Sequence, residues 1–254
     1  MSTISFETAF VSKADGIATV TLNRPRALNA MSRELLHDLI PAMDDVLSDD
    51  TVSAIVLAGA GRAFCAGGDI KEMSSGAQDN LQNPLYNTNE IREWSKLAAT
   101  MYESPKPIVA VVQGYAVGAG CAMVAVCDVA IAAEDAKFAL FFIRRGLVAD
   151  FGGDYVVPRA LRMNKAKEML YTGKQIDAHE AQRIGLVHRV VPNEQLLQSA
   201  TELARRMAAT SSGKFGSVKH VLHASLRQDL RTNLRAEADA SVRAGIQLGL
   251  ERTR

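Results

Sequence analysis

Two glycine-rich segments constrain this chain more than any other feature. The first is Gly61-Arg62-Ala63-Phe64-Cys65-Ala66-Gly67-Gly68-Asp69-Ile70, and the second is Gly114-Tyr115-Ala116-Val117-Gly118-Ala119-Gly120. Each follows a short apolar run of strand character and opens into helical patterning. Side chains are minimal in both, as they must be where backbone approaches another group closely. A strand-to-helix turn leaves backbone N–H groups without acceptors at the helix start, where the helix dipole also favours negative charge. One such N–H from each segment, aimed at a common point, makes a two-donor oxyanion hole. A nucleotide site fits less well. Gly118-Ala119-Gly120-Cys121-Ala122-Met123 lacks the third glycine of G-x-G-x-x-G, and neither segment contains G-K-[ST].

The rest of the chain sets these loops in an α/β frame. Ile4 to Val11 and Ile17 to Leu22 read as strands turning at Asp15-Gly16. Ser32 is placed to cap a helix towards Leu47, with Pro41 as a kink or break. Val52 to Leu57, Ile108 to Val112 and Asp128 to Ala132 are buried strands, and Leu186 to Val191 is a further strand. The polar stretch from 74 to 89 reads as a loop before a helix over 90–103. Asp177 and Glu180 form a D-x-x-E capping pattern, with Gly185 at the helix end. After Asn193 only helical patterning remains. Strands alternating with helices, then helices alone, predict an α/β core over 1–192 and a helical region over 193–254. That region must bury its apolar face, and a neighbouring subunit is the natural cover.

Composition narrows the partners. The formal net charge is +1 over 254 residues, so no bulk basicity calls for nucleic acid or an anionic membrane. The longest apolar stretch, 117–133, is interrupted by glycines and Asp128 and is a poor membrane span. No secretory pattern opens the chain, and a cytoplasmic location is expected. Cys65, Cys121 and Cys127 have neither metal-ligand spacing nor neighbouring histidines, so free buried thiols are expected and no metal. His220 and His223 can share a helix face, but no third ligand is apparent.

Asn23-Arg24-Pro25-Arg26-Ala27-Leu28-Asn29-Ala30, Ala63 to Ile70, Gln113 to Gly120 with Cys127-Asp128, Tyr171-Thr172-Gly173, and the run from Ala181 to Val190 occur in that order. Together they resemble the enoyl-CoA hydratase/isomerase (crotonase) family over roughly 15–225. The resemblance implies a crotonase-like spiral of repeated β-β-α turns with a helical C-terminal trimerisation region, as a homotrimer or homohexamer. It implies an acyl-CoA substrate that carries coenzyme A itself, with no separate cofactor. Carried over by position, the oxyanion donors are the N–H groups of Gly68 and Ala119. Ala27, Leu28, Ala66, Asp69 and Ile70 would line the coenzyme A arm, and Arg24 and Lys71 are candidates for its phosphates.

Thioester enolate chemistry also needs a base for an acidic C–H. Hydratases of the family use glutamates at positions that are Ala122 and Phe142 here, which leaves Phe142 as a wall of the acyl site. One acid remains in Gly146-Leu147-Val148-Ala149-Asp150-Phe151-Gly152-Gly153-Asp154. Apolar and glycine surroundings would raise the pKa of Asp150 as a general base requires. The alternative is that Asp150 or Asp154 caps the following helix, with Asp154 the better placed for it. The G-L-V-x-D-x-G-G pattern is similar to the aspartate-using isomerases of the family, 1,2-epoxyphenylacetyl-CoA isomerases among them. The expected activity is therefore isomerisation of an unsaturated or epoxidised acyl-CoA with Asp150 moving the proton. The alternatives are a hydratase or lyase with another acid, and a non-catalytic acyl-CoA-binding subunit. Tyr86, Glu90, Glu93 and Trp94 are weaker candidates.

Overall fold

Asp15 and Gly16 both take positive φ, 52° and 75°, and reverse the chain between Ala9–Ala14 (β2) and Ile17–Leu22 (β3). Paired left-handed residues give a turn whose twist matches the strands it joins, and Ala14 lies opposite Ile17. The single strand expected over 4–11 is in fact two, Ser2–Ser5 (β1) and β2, paired antiparallel. The corner between them is held from outside. The Thr8 N–H and hydroxyl both donate to Asp38 Oδ2, at 2.7 and 2.6 Å. The computed structural model describes residues 2–73, 88–211 and 215–252.

The strands that follow are Ala54–Gly59 (β4), Ile108–Val112 (β5), Tyr115–Val117 (β6), Val129–Ala133 (β7), Lys137–Ala139 (β8), Ile176–Asp177 (β9) and Arg189–Val191 (β10). The large sheet runs β1-β2-β3-β4-β5-β7-β10 and is parallel from β3 onward. A small sheet, β6-β8-β9, stands beside it. Helices span Arg33–Ser48 (α1), Thr88–Glu103 (α2), Ala119–Val126 (α3), Gly153–Ala160 (α4), Met163–Thr172 (α5), Ala178–Ile184 (α6), Leu196–Ser211 (α7), Phe215–Ser225 (α8) and Leu230–Arg252 (α9), and residues 70–73 are helical as well.

Strands buried on both faces read as unbroken apolar runs, and β4 and β5 do so because both faces are covered. Ile55, Leu57, Ile108 and Ala110 point into the main core with Leu35, Leu39 and Met43 of α1 and Met123 of α3. Val56, Ala58, Val109 and Val111 point the other way, where Leu196, Ala200 and Ala204 of α7 cover them. The region expected to be helical from 193 thus divides by packing: α7 lies on the sheet, while α8 and α9 form a pair beyond it.

Some local expectations are revised. Pro41 neither breaks nor ends α1, which Ser32 caps by accepting the Leu35 N–H at 3.2 Å. Pro41 and His37 are both exposed, so water can serve the His37 carbonyl that the missing N–H would have bonded. The strand expected over 186–191 shrinks to β10, because the Leu186 and Val187 N–H groups fold back to the Ala181 carbonyl at the end of α6. Asp177 caps α6 as expected, accepting the Glu180 N–H at 2.8 Å. No helix among the described residues is long and apolar enough to cross a membrane.

Candidate active site

The two glycine segments meet because backbone pairing locks them side by side. The Cys65 N–H donates to the Tyr115 carbonyl at 2.9 Å, and the Val117 N–H donates back to the Cys65 carbonyl at 3.0 Å. Continuing along both chains brings Gly67 against 117–119. A Cβ on Gly67 would stand 2.7 Å from the Val117 carbonyl oxygen and 3.5 Å from the Ala119 nitrogen, and Gly67 has φ 80°. Only glycine meets both demands. Ala119 is the first residue of α3, so its N–H has no intrahelical acceptor. Among the described residues, neither the Gly68 nor the Ala119 N–H has a hydrogen-bond partner. Unused donors on two touching loops can hold one oxygen.

They open onto a cavity of about 90 Å³. One side is Ala66, Gly67 and Gly68 with Ile70 and Met73; another is Val117, Gly118 and Ala119. The third wall is the 3₁₀ turn Phe141–Arg145 and Leu147. Of the residues expected from sequence, Gly68, Ala119, Ala66, Ile70 and Phe142 line it. Ala27, Leu28, Arg24 and Asp69 do not, and each has a supporting place instead. The Leu28 carbonyl accepts the Ala66 N–H at 3.0 Å, and Ala27 lies in the tight turn before it. Arg24, a candidate for coenzyme A phosphates, is mostly buried in an ion pair with Asp69 at 3.0 Å and also donates to the Ala30 carbonyl. Asp69 meanwhile accepts the Lys71 and Glu72 N–H groups. Lys71 itself is exposed.

Sequence reasoning missed the side chain that fastens this arrangement. Asn29 is fully buried in a left-handed conformation. Its Nδ2 donates to the Ala60 and Ala63 carbonyls at 2.9 and 2.8 Å, and its Oδ1 accepts the Arg24 N–H at 2.8 Å. The 24–30 turn is thereby tied to the first glycine segment. The signal available in the sequence was an Asn, a residue that tolerates positive φ, closing the turn that begins at Pro25.

Asp150 does not line the 90 Å³ cavity. It lies near enough to Cys65 of the first glycine segment for its charge to help raise the Cys65 thiol, which burial pushes up to about 12. Asp150 Oδ1 is buried and has no hydrogen-bond partner among the described residues, and burial pushes the carboxyl up to about 6. The capping alternative fails. The N-cap of α4 is Gly152, at φ 73°, and no side chain among the described residues caps that helix. Phe151 before it is also left-handed, at φ 49°, an unfavourable conformation for an aromatic residue that its burial against Trp94 holds in place. Burial pushes Asp154 upward as well, in the first turn of α4.

Ala122 is fully buried, and a Cβ on Gly153 would stand 3.3 Å from its methyl, so small residues close α3 onto α4 there. Glu93 pairs with Lys96 on the outside of α2. Tyr86 and the rest of 74–87 lie outside the described residues, as does the Glu90 side chain. His223 stacks on Tyr102 at 4.0 Å, and no group of three metal-ligating side chains occurs among the described residues.

Comparison with known proteins agrees with this architecture. Residues 12–247 match the family model described as enoyl-CoA hydratase/isomerase. A probable enoyl-CoA hydratase of Rhizobium meliloti (strain 1021) is 38% identical over 89% of this chain and 85% of its own length. The 1,2-epoxyphenylacetyl-CoA isomerase of Escherichia coli (strain K12) is 33% identical over 85% of this chain and 82% of its own. The crystal structure of an enoyl-CoA hydratase from Bacillus anthracis superposes with a TM-score of 0.85 at 29% identity, covering 97% of both chains. A family match over nearly the whole chain, on this fold and with these two loops, shows that the chain belongs to the enoyl-CoA hydratase/isomerase family.

Proposed function

We propose that this enzyme isomerises unsaturated or epoxidised acyl-CoA thioesters, with Asp150 as the proton carrier. The thioester oxygen accepts the N–H groups of Gly68 and Ala119, which stabilise the enolate formed when a C–H beside the carbonyl is deprotonated. Asp150 takes that proton as carboxylate and returns it to another carbon, so the double bond moves and nothing is added or lost. With an epoxidised ring the same carboxyl serves opening and rearrangement of the ring. The carrying observation is a carboxyl beside the first glycine segment whose buried oxygen has no partner among the described residues and whose pKa is raised to about 6. Such a group is poised near neutrality to accept and release a proton. Coenzyme A arrives with the substrate and no separate cofactor is required. The E. coli relative's name fits this reading.

A hydratase reading has the names of several relatives in its favour. Against it, Ala and Phe stand at 122 and 142, where the family's hydratases carry glutamates. The test is a panel of enoyl-CoA esters in deuterated water with the unaltered enzyme and Asp150→Asn. We expect double-bond migration with deuterium uptake, both falling about 100- to 10,000-fold in the variant. Water addition would establish the hydratase, and binding without turnover a non-catalytic subunit. Full activity in the variant would move the proton elsewhere.

A further inference from the structure

Arg145 is the one charged side chain among the described residues that line the oxyanion cavity. Its neighbours are accounted for. Arg144 lies over the Phe141 ring at 4.6 Å, and Arg24 pairs with Asp69. Arg145 has no ion-pair or hydrogen-bond partner among the described residues. Its backbone is nonetheless well placed. It ends the 3₁₀ turn Phe141–Arg145, closed by the Gly146 N–H on the Ile143 carbonyl at 3.0 Å and the Leu147 N–H on the Phe142 carbonyl at 3.1 Å.

In a 3₁₀ helix, side chains three residues apart stand over one another. Phe142 and Arg145 therefore share one face of the turn, and both line the cavity. Phe142 is buried and Arg145 exposed, so the face runs from an apolar floor to a cation at the mouth. A ligand matching that gradient has a carbon chain along Phe142 and Leu147 and an anionic group at its end. A guanidinium fork fits a carboxylate in particular.

We propose that Arg145 is a specificity-determining residue that selects acyl groups ending in a second carboxylate, that is, mono-CoA thioesters of dicarboxylic acids. This rests on the reading of the cavity as the thioester site, and it names the substrate class of that site.

The test is equilibrium binding of saturated thioesters, which carry no double bond to move, so that Asp150 chemistry does not enter. Butyryl-, valeryl- and hexanoyl-CoA are compared with succinyl-, glutaryl- and adipyl-CoA, with free coenzyme A as reference, on the unaltered enzyme, Arg145→Gln and Arg145→Lys. An exposed charge-assisted contact predicts that at least one dicarboxylic thioester binds about 2- to 5-fold more tightly than its monocarboxylic counterpart. That preference should weaken with salt, vanish in Arg145→Gln and survive in part in Arg145→Lys. Equal losses for all ligands, free coenzyme A included, would assign Arg145 to the coenzyme A phosphates and overturn the proposal. Unchanged binding in both variants would overturn it as well while leaving the thioester site intact. Failure of every thioester to bind would remove both readings.

Discussion

Asp150 sits where ionisation is unfavourable, and the folded protein therefore holds its proton more tightly than the unfolded chain does. Its carboxyl is raised by burial from 3.8 to about 6. Below the unfolded value the group is protonated in both states and carries no penalty. As the pH rises through the folded value, the native state must accept a buried charge and loses stability. Asn has nearly the same shape and no charge. Asp150→Asn should therefore be more stable than the unaltered protein at pH 7, by on the order of 2 kcal/mol, with the gap closing by about pH 4. Urea melts of both proteins across that range would show it. A variant less stable at pH 7 would mean that the residue is structural. A gain in stability together with a loss of turnover is what a strained functional group predicts.

At the scale of elements, the pairing of helix to sheet depends on a few buried polar contacts between distant parts of the chain. Lys219 on α8 is 3% exposed in its side chain and forms an ion pair with Asp128 at 3.0 Å, while also donating to the Met101 carbonyl at the end of α2. The same Asp128 oxygen accepts the Ile108 N–H at the head of β5. Burial holds the Asp128 carboxyl above the usual range in spite of the ammonium. Removing one partner of such a pair strands the other charge, so Lys219→Ala should destabilise by about 3 kcal/mol. Lys219→Met combined with Asp128→Asn, which restores neutrality and keeps an acceptor for Ile108, should recover most of that loss. Chemical denaturation of the single and double variants decides it; additive losses would mean that the two groups are not coupled.

On the scale of the whole molecule, α8 and α9 leave apolar side chains in water. Leu222 is 61% exposed, Leu230 72%, Leu234 51% and Ile246 59%, far more than scattered surface leucines require. Leu230 and Leu234 lie four apart on α9, on one face of the helix. We expect these helices to be covered by further copies of the chain in a homotrimer or homohexamer. Light scattering should give a multiple of the 27.4 kDa chain mass, and Leu222→Glu with Leu234→Glu should shift it to a monomer. A stable monomer of the unaltered protein at micromolar concentration would contradict this assembly.

Features that depend on neighbours along the chain are legible in the amino-acid order. The Asp15-Gly16 turn, the caps at Ser32 and Asp177 and the apolar runs of β4 and β5 follow from local conformational preference and period, and the two glycine segments carry their own chemistry. Features that depend on residues far apart in the chain arise only when it folds. The break after Ser5 is made by Asp38, and the rigidity of the first glycine segment is made by Asn29 reaching Ala60 and Ala63. Arg24 turns inward because Asp69 is there to meet it. Whether Asp150 was a cap or a buried acid depended on the backbone of Phe151 and Gly152, whose left-handed turn starts the helix without it. No local pattern separates those outcomes, because the pKa of a carboxyl is set by how much water and how many donors the folded chain leaves around it.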